Sequence, residues 1–96
     1  MSEIVTAAVA ALSDKIGSDG FDGVAKFMIN GEGGIMIDGN GAHAGDDEAD
    51  VTLSADAETF EAILAGDMDP TAAFMSGKLA VDGDMGMAVK LGSILA

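Results

Sequence analysis

The spacing of apolar residues switches from helical to strand-like and back, which restricts this chain to folds that combine helices with a sheet. From Glu3 to Ile16 apolar side chains recur every three or four residues, as on one face of an α-helix. Between residues 24 and 54 the period is two, so that Ile35 and Ile37 are predicted on the buried face of a strand and Met36 and Asp38 on its wet face. After Asp56 the spacing is again helical, apart from one short strand. We therefore predict a single domain over residues 1–96.

The strand-like segments are separated by short turns. They cover residues 24–29, 35–38, 42–44, 51–54 and 78–82. The turns between these strands, up to the one at residues 51–54, are short enough for a meander. The turn at residues 31–34 lies between two strands and lacks a following Lys-Ser/Thr, so it predicts a hairpin rather than a phosphate-binding loop.

Three helices are predicted after the fourth strand. Either Ser54 or Asp56 can cap the first, which ends at Gly66. The second is short, with Asp69 as N-cap and a proline at its first position. The third covers residues 85–95.

The final helix is apolar over most of its circumference, and only Gly86, Lys90 and Ser93 form a narrow polar edge. Such a helix is buried on several sides or contacts something besides its own sheet. The pattern leaves two interpretations open. The helix covers an apolar ligand, or it packs on the sheet with one side and on a second copy of the chain with the other.

The charge balance excludes several classes of partner. Seventeen acidic residues face four lysines and no arginine, for a formal net charge of −13. Because nucleic-acid binding depends on cations that neutralise phosphates, we expect no nucleic-acid partner. An anionic membrane repels this charge as well, so we expect only transient membrane contact.

The sequence offers no convincing catalytic or metal-binding motif. It contains no cysteine, which removes disulfides and thiolate chemistry. The sole histidine, His43, is predicted to be a surface or edge-strand residue rather than a catalytic base. The acidic residues 46–50 predict a solvated loop, because a calcium loop opened at Asp38 would need glutamate where Ala49 stands. We expect no enzyme activity, no cofactor and no metal, and an enzyme acting on an acyl thioester is the weaker alternative.

No targeting segment is evident. The first residues lack a basic region, and no apolar run approaches the roughly 20 residues that span a bilayer. The last three residues match no retention or peroxisomal signal. We therefore expect a cytoplasmic protein.

The C-terminal third carries a more specific pattern. An acidic residue precedes Pro70, an aromatic follows at Phe74, and Gly77-Lys78 leads into an alternating strand, then Gly83-Asp84 and a helix rich in Met, Ala and Leu. This pattern resembles the signature of the sterol carrier protein 2 family, and the upstream order of elements agrees over nearly the whole chain. The resemblance implies an α+β fold in which helices cover a five-stranded, mostly antiparallel sheet and enclose an apolar cavity.

The resemblance also implies a function. Members of the family bind fatty acids, acyl-CoA, phospholipids or sterols, so we expect non-enzymatic binding and transfer of an apolar lipid in a cavity closed by the C-terminal helix. Residues 35–37 hold no aromatic, unlike many members, which favours a fatty acyl ligand over a sterol. The missing peroxisomal ending indicates a compact bacterial-type member. The expected ligand-binding side chains are Phe60, Phe74, Met75, Met85, Met87, Leu91, Ile94 and Leu95.

The alternative function is an interaction or dimerisation module that uses the apolar C-terminal helix. Both hypotheses are compatible with a monomer or a weak homodimer. They differ in what contacts the helix, which is a lipid in the first case and a protein in the second.

Overall fold

The computed structural model describes residues 3–17 and 20–95, in which a five-stranded sheet is covered by helices. Ser18 and Asp19, in the loop predicted after the first helix, lie outside the described residues. In chain order the elements are α1 (Glu3–Ile16), β1 (Ala25–Ile29), β2 (Gly33–Asp38), β3 (Gly41–Ala44), β4 (Val51–Ala55), α2 (Ala57–Leu64), α3 (Pro70–Met75), β5 (Ala80–Gly83) and α4 (Met85–Leu95).

The strands form one mixed sheet in the order β3-β2-β1-β4-β5. Strands β1, β2 and β3 form an antiparallel meander, as the short turns predict. The meander ends there, because β4 crosses to the other side of β1 and pairs with it in parallel, with Ala25 opposite Val51. β5 then pairs antiparallel with β4. The sheet is therefore mostly antiparallel, with one crossover that the turn lengths did not predict.

Residues 45–50 form the crossover segment, which we call the strap, and its first residues, 45–47, lie on the face of the sheet opposite the helices. Its first residue, Gly45, donates a backbone hydrogen bond to the carbonyl of Gly34 at 3.0 Å. Lys26, on the outer face of β1, forms an ion pair with Asp46 of the strap at 2.8 Å. The strap is thereby fixed at both β2 and β1.

The strap corrects one prediction from the sequence. Alternation in β2 placed Met36 on the wet face, but Met36 is only 3% exposed. Gly45 lies directly over it, since a Cβ added at Gly45 would be 3.0 Å from Cγ of Met36. Glycine at position 34 permits this approach, because a Cβ there would lie 2.5 Å from the Gly45 carbonyl oxygen. The outer face of β2 is therefore buried by the strap, a separate segment of the chain. The alternation of residues within β2 gives no information about such a segment.

The hydrophobic core lies between the other face of the sheet and the helices. α1 packs over β2 and β3, and α4 packs over β1, β4 and β5. Phe27 of β1 meets Phe60 of α2 edge-to-face, with ring centroids 4.4 Å apart. The inward positions of β1 and β4 alternate with outward ones, as predicted.

Carboxylates start the last three helices. Asp56, Asp69 and Asp84 each accept a hydrogen bond from the backbone N–H three residues later, at 2.7, 3.4 and 3.2 Å. These bonds satisfy donors that a helix start leaves unpaired. Asp56, rather than Ser54, is therefore the cap of α2. The Thr59 backbone N–H is the main reason that the pKa of Asp56 is lowered.

Candidate functional site

A pocket of about 310 Å³ opens between α3, α4 and the β4–β5 side of the sheet. Inward residues of the sheet and of the segment before β5 form its floor. The start of α3 forms one wall and the outer side of α4 the other. The lining residues are Leu53, Asp69, Pro70, Thr71, Phe74, Leu79, Val81, Met85, Ala88, Val89, Gly92 and Ser93.

Small residues on α4 leave this space unfilled. Ala88 and Gly92 are four residues apart, so they lie on the same side of the helix, and both line the pocket. A Cβ added at Gly92 would be 3.8 Å from Cβ of Pro70, an ordinary van der Waals contact. α3 and α4 are therefore close enough at Gly92 for a Cβ to contact Pro70, and Gly92 itself places no side chain in the pocket.

The rim of the pocket exposes large apolar side chains to water. Phe74 is 43%, Met85 50% and Val89 67% exposed, and all three line the pocket. Met75, at 80%, is exposed beside them without lining the pocket. A cluster of exposed apolar side chains next to a concave apolar surface is typical of a binding site.

The polar groups of the pocket wall are few. They are the carboxylate of Asp69 and the hydroxyls of Thr71 and Ser93. The Ser93 hydroxyl donates to the carbonyl of Val89 at 3.2 Å, which leaves its oxygen as an acceptor. This set can orient a ligand through hydrogen bonds, but it pairs no nucleophile with a base.

Two of the predicted ligand-binding residues, Phe74 and Met85, line this pocket. Phe60 does not; it is 1% exposed and lines a second groove of about 300 Å³ between α1 and α2. Met75 points outward at the end of α3. The ligand-binding role of each of these residues stays a prediction.

The other four predicted residues lie on α4 outside the pocket wall. Leu91 and Leu95 are fully buried in the core. Met87 and Ile94 are half-buried and pack against the same core. Their side chains pack α4 onto the core, and their predicted ligand-binding role stays a prediction.

The sequence analysis did not identify the residues of the pocket floor or the small residues of α4 as parts of the site. Leu53 and Val81 occupy inward positions of two strands that pair with each other, so their alternation was a usable signal. The Ala88–Gly92 spacing was a second signal, because small residues four apart mark a helix face with little filling. The choice of large apolar residues instead selected the side of α4 that packs on the sheet.

The remaining chemical candidates lie elsewhere. His43 is exposed on β3, an edge strand, as predicted. The strap carboxylates Asp46, Asp47 and Glu48 are exposed, as predicted for a solvated loop. Among residues 3–17 and 20–95, no three potential metal-ligating side chains cluster together, and no helix there has the length and apolar character needed to cross a bilayer.

The fold and the pocket define a class, a small α+β domain whose last two helices leave an apolar pocket at one side of the sheet. The chain belongs to the SCP-2 sterol transfer family, whose model matches residues 10–96.

Solved structures agree with this assignment. The solution structure of sterol carrier protein 2 from Aedes aegypti in complex with the C16 fatty acid palmitate has a TM-score of 0.78 at 23% identity, covering 100% of this chain and 97% of that one. The crystal structure of sterol carrier protein 2 like 2 from the same organism has a TM-score of 0.67 at 27% identity, covering 95% and 89%. These likenesses confirm the α+β fold and its mostly antiparallel sheet.

Relatives in sequence are much longer proteins. Hydroxysteroid dehydrogenase-like protein 2 from Danio rerio is 43% identical over 82 residues, which is 77% of this chain and 20% of the relative. Peroxisomal multifunctional enzyme A from Dictyostelium discoideum is 36% identical over 68 residues, or 71% and 14%. The chain therefore spans a fifth or less of these relatives.

Proposed function

We propose that the pocket between α3 and α4 binds the apolar part of a lipid. The observation that carries this proposal is an apolar pocket of about 310 Å³ whose rim exposes Phe74, Met85 and Val89. Its volume lies at the lower end of the range of small-molecule sites. Membership of a sterol transfer family and palmitate in a structural neighbour both support an apolar lipid as the ligand.

The pocket volume sets the strength of binding. A methylene group is similar in size to a water molecule, whose share of liquid volume is about 30 Å³, so the pocket holds about ten methylene groups. At about 0.8 kcal/mol for each, burial contributes about 8 kcal/mol at most. That value corresponds to a dissociation constant near 1 μM before ordering costs are subtracted. We therefore expect micromolar or weaker binding with broad tolerance of chain shape.

In this proposal the chain carries or presents a lipid and performs no covalent step. α4 forms one wall, so the C-terminal helix covers the ligand with its Ala88–Gly92 side while Leu91 and Leu95 hold it on the sheet. The long relatives, whose names denote enzymes, support presentation to a separate catalytic domain as one use of the pocket.

The second candidate function is an interaction module, favoured by the exposure of Met75 and Val89 on neighbouring helices. Light scattering after size exclusion separates it from lipid binding. A stable dimer that is insensitive to added lipid favours the module. A monomer that gains only the mass of the lipid favours the carrier.

Methionine methyl resonances test the pocket directly. The protein is titrated with 1-decanol and, separately, with decanoate, and resonances are assigned by single Met→Leu substitutions. Binding in the pocket should shift the methyl of Met85, which lines it, and leave Met28 and Met36 on the outer face of the sheet unchanged. Uniform shifts, or no shift with either amphiphile, would contradict the proposed function.

A further inference from the structure

The pocket wall contains a fixed negative charge. Asp69 lines the pocket at the start of α3, and its carboxylate is held by the hydrogen bond from the Ala72 backbone N–H. The polar groups that share the wall, Thr71 and Ser93, are neutral hydroxyls. A ligand whose polar end stays near the wall therefore meets a carboxylate.

No cationic side chain lines the pocket beside this charge. The sequence has four lysines and no arginine, and none of the four lines the pocket. Lys26 is engaged with Asp46 on the outer face of the sheet, and Lys90 pairs with Asp22 at 3.4 Å.

The other two lysines do not line the pocket either. Lys78 directly precedes the lining residue Leu79, but it is exposed and is not part of the wall. Lys15 is at the end of α1, which packs over β2 and β3, whereas the pocket lies at the β4–β5 side. The pocket thus has an acidic wall without a cationic lining residue.

We propose that this pocket selects uncharged lipids over lipids with an anionic head group. The inference rests on the proposed function and specifies its ligand class. An anionic head beside Asp69 is repelled and loses hydration without gaining a partner. A hydroxyl head donates a hydrogen bond to the same carboxylate, or accepts one from Thr71. Fatty alcohols and acylglycerols fit this chemistry better than free fatty acids do at neutral pH.

The test compares 1-decanol with decanoate, which have the same chain length, by calorimetric titration at neutral pH. Because Asp69 is exposed to solvent, its effect is screened, and we expect decanol to bind about 10-fold more tightly rather than several hundred-fold. The preference should shrink at about 1 M salt, where the Debye length is about 3 Å.

Two matched variants locate the cause. Asp69→Asn removes the charge, keeps a good N-cap and keeps a side-chain oxygen that accepts from a hydroxyl, so decanoate should bind about 3- to 10-fold more tightly and the preference for decanol should shrink. Asp47→Asn makes the same change in net charge in the strap, on the opposite face of the sheet, and should alter neither ligand by more than about 2-fold. Equal or tighter binding of decanoate by the unmodified protein would overturn the inference, as would equal effects of the two substitutions. Absence of binding by both amphiphiles would instead refute the proposed function.

Discussion

Substitutions at Gly92 distinguish filling of the pocket from destabilisation of the fold. Filling of the pocket lowers the affinity for ligand without lowering the melting temperature, whereas destabilisation lowers the melting temperature. Gly92 lies inside α4, lines the pocket, and has a helical backbone that any residue can adopt. A glycine in a helix interior is about 0.5–1 kcal/mol less favourable than alanine. Gly92→Ala should therefore raise the melting temperature by roughly 3–6 °C for a domain of this size.

The same position controls the free volume. Gly92→Ala adds one carbon, which reaches Pro70 at 3.8 Å without strain. Gly92→Leu adds four carbons and displaces the equivalent of about four methylene groups of ligand, a loss of about 3 kcal/mol. Binding of 1-decanol should then weaken on the order of 100-fold.

Calorimetric titration and thermal unfolding of the two variants provide the assay. The expected combination is a Gly92→Ala protein at least as stable as the original and a folded Gly92→Leu protein that binds much less decanol. Retention of full affinity by a folded Gly92→Leu variant would refute our placement of the ligand. The Gly92→Ala variant separates a change in the helix from a change in the volume.

Other predictions concern the strap, a cap, the core and the rim. Gly34→Ala should cost about 1–3 kcal/mol in chemical denaturation, because its Cβ would meet the Gly45 carbonyl, whereas Gly39→Ala, with nothing within 4 Å, should stay within about 0.5 kcal/mol. The lowered pKa of Asp56 means that its ionised form stabilises the fold above roughly pH 4, and that this contribution disappears as pH falls through the lowered pKa. The melting temperatures of the original protein and of Asp56→Asn should therefore converge in acid, and a constant difference would contradict the cap. Phe60→Leu should lose about 1–2 kcal/mol of stability in urea and bind decanol normally, because the ring packs on Phe27 outside the pocket; weakened binding would assign it a ligand contact. Light scattering should detect self-association only at about 1 M salt, where repulsion between acidic copies is screened, and a dimer at low salt would contradict this.

Local patterns were sufficient to predict the helices and the strands. The bounds predicted for α1 and α4 agree with the structure, and the caps Asp56 and Asp69 were readable from residue type and spacing. The crossover to β4 was not readable, because the strap has the composition of an ordinary acidic loop. Burial of Met36 depends on that crossover, so no local pattern could predict it.

The pocket could be predicted only in part, for a similar reason. An apolar residue on α4 either packs on the sheet or faces the pocket, and hydrophobicity does not distinguish the two. Leu91 and Met85 are both apolar, yet one is fully buried and the other is half exposed. The position of the pocket depends on which residues of α4 are small, because small side chains leave the space next to the helix unfilled.

The high net negative charge of the chain and the exposed apolar rim of the pocket have opposite effects on association between copies. Exposed Phe74, Met85 and Val89 would favour association of copies through their rims. A net charge of −13 opposes that association through repulsion between copies, without placing polar groups in the pocket. Part of the charge also caps helices, so the same carboxylates stabilise α2, α3 and α4. Asp69 does both and in addition lines the pocket, which is why we propose that a residue that starts a helix also contributes to the choice of ligand.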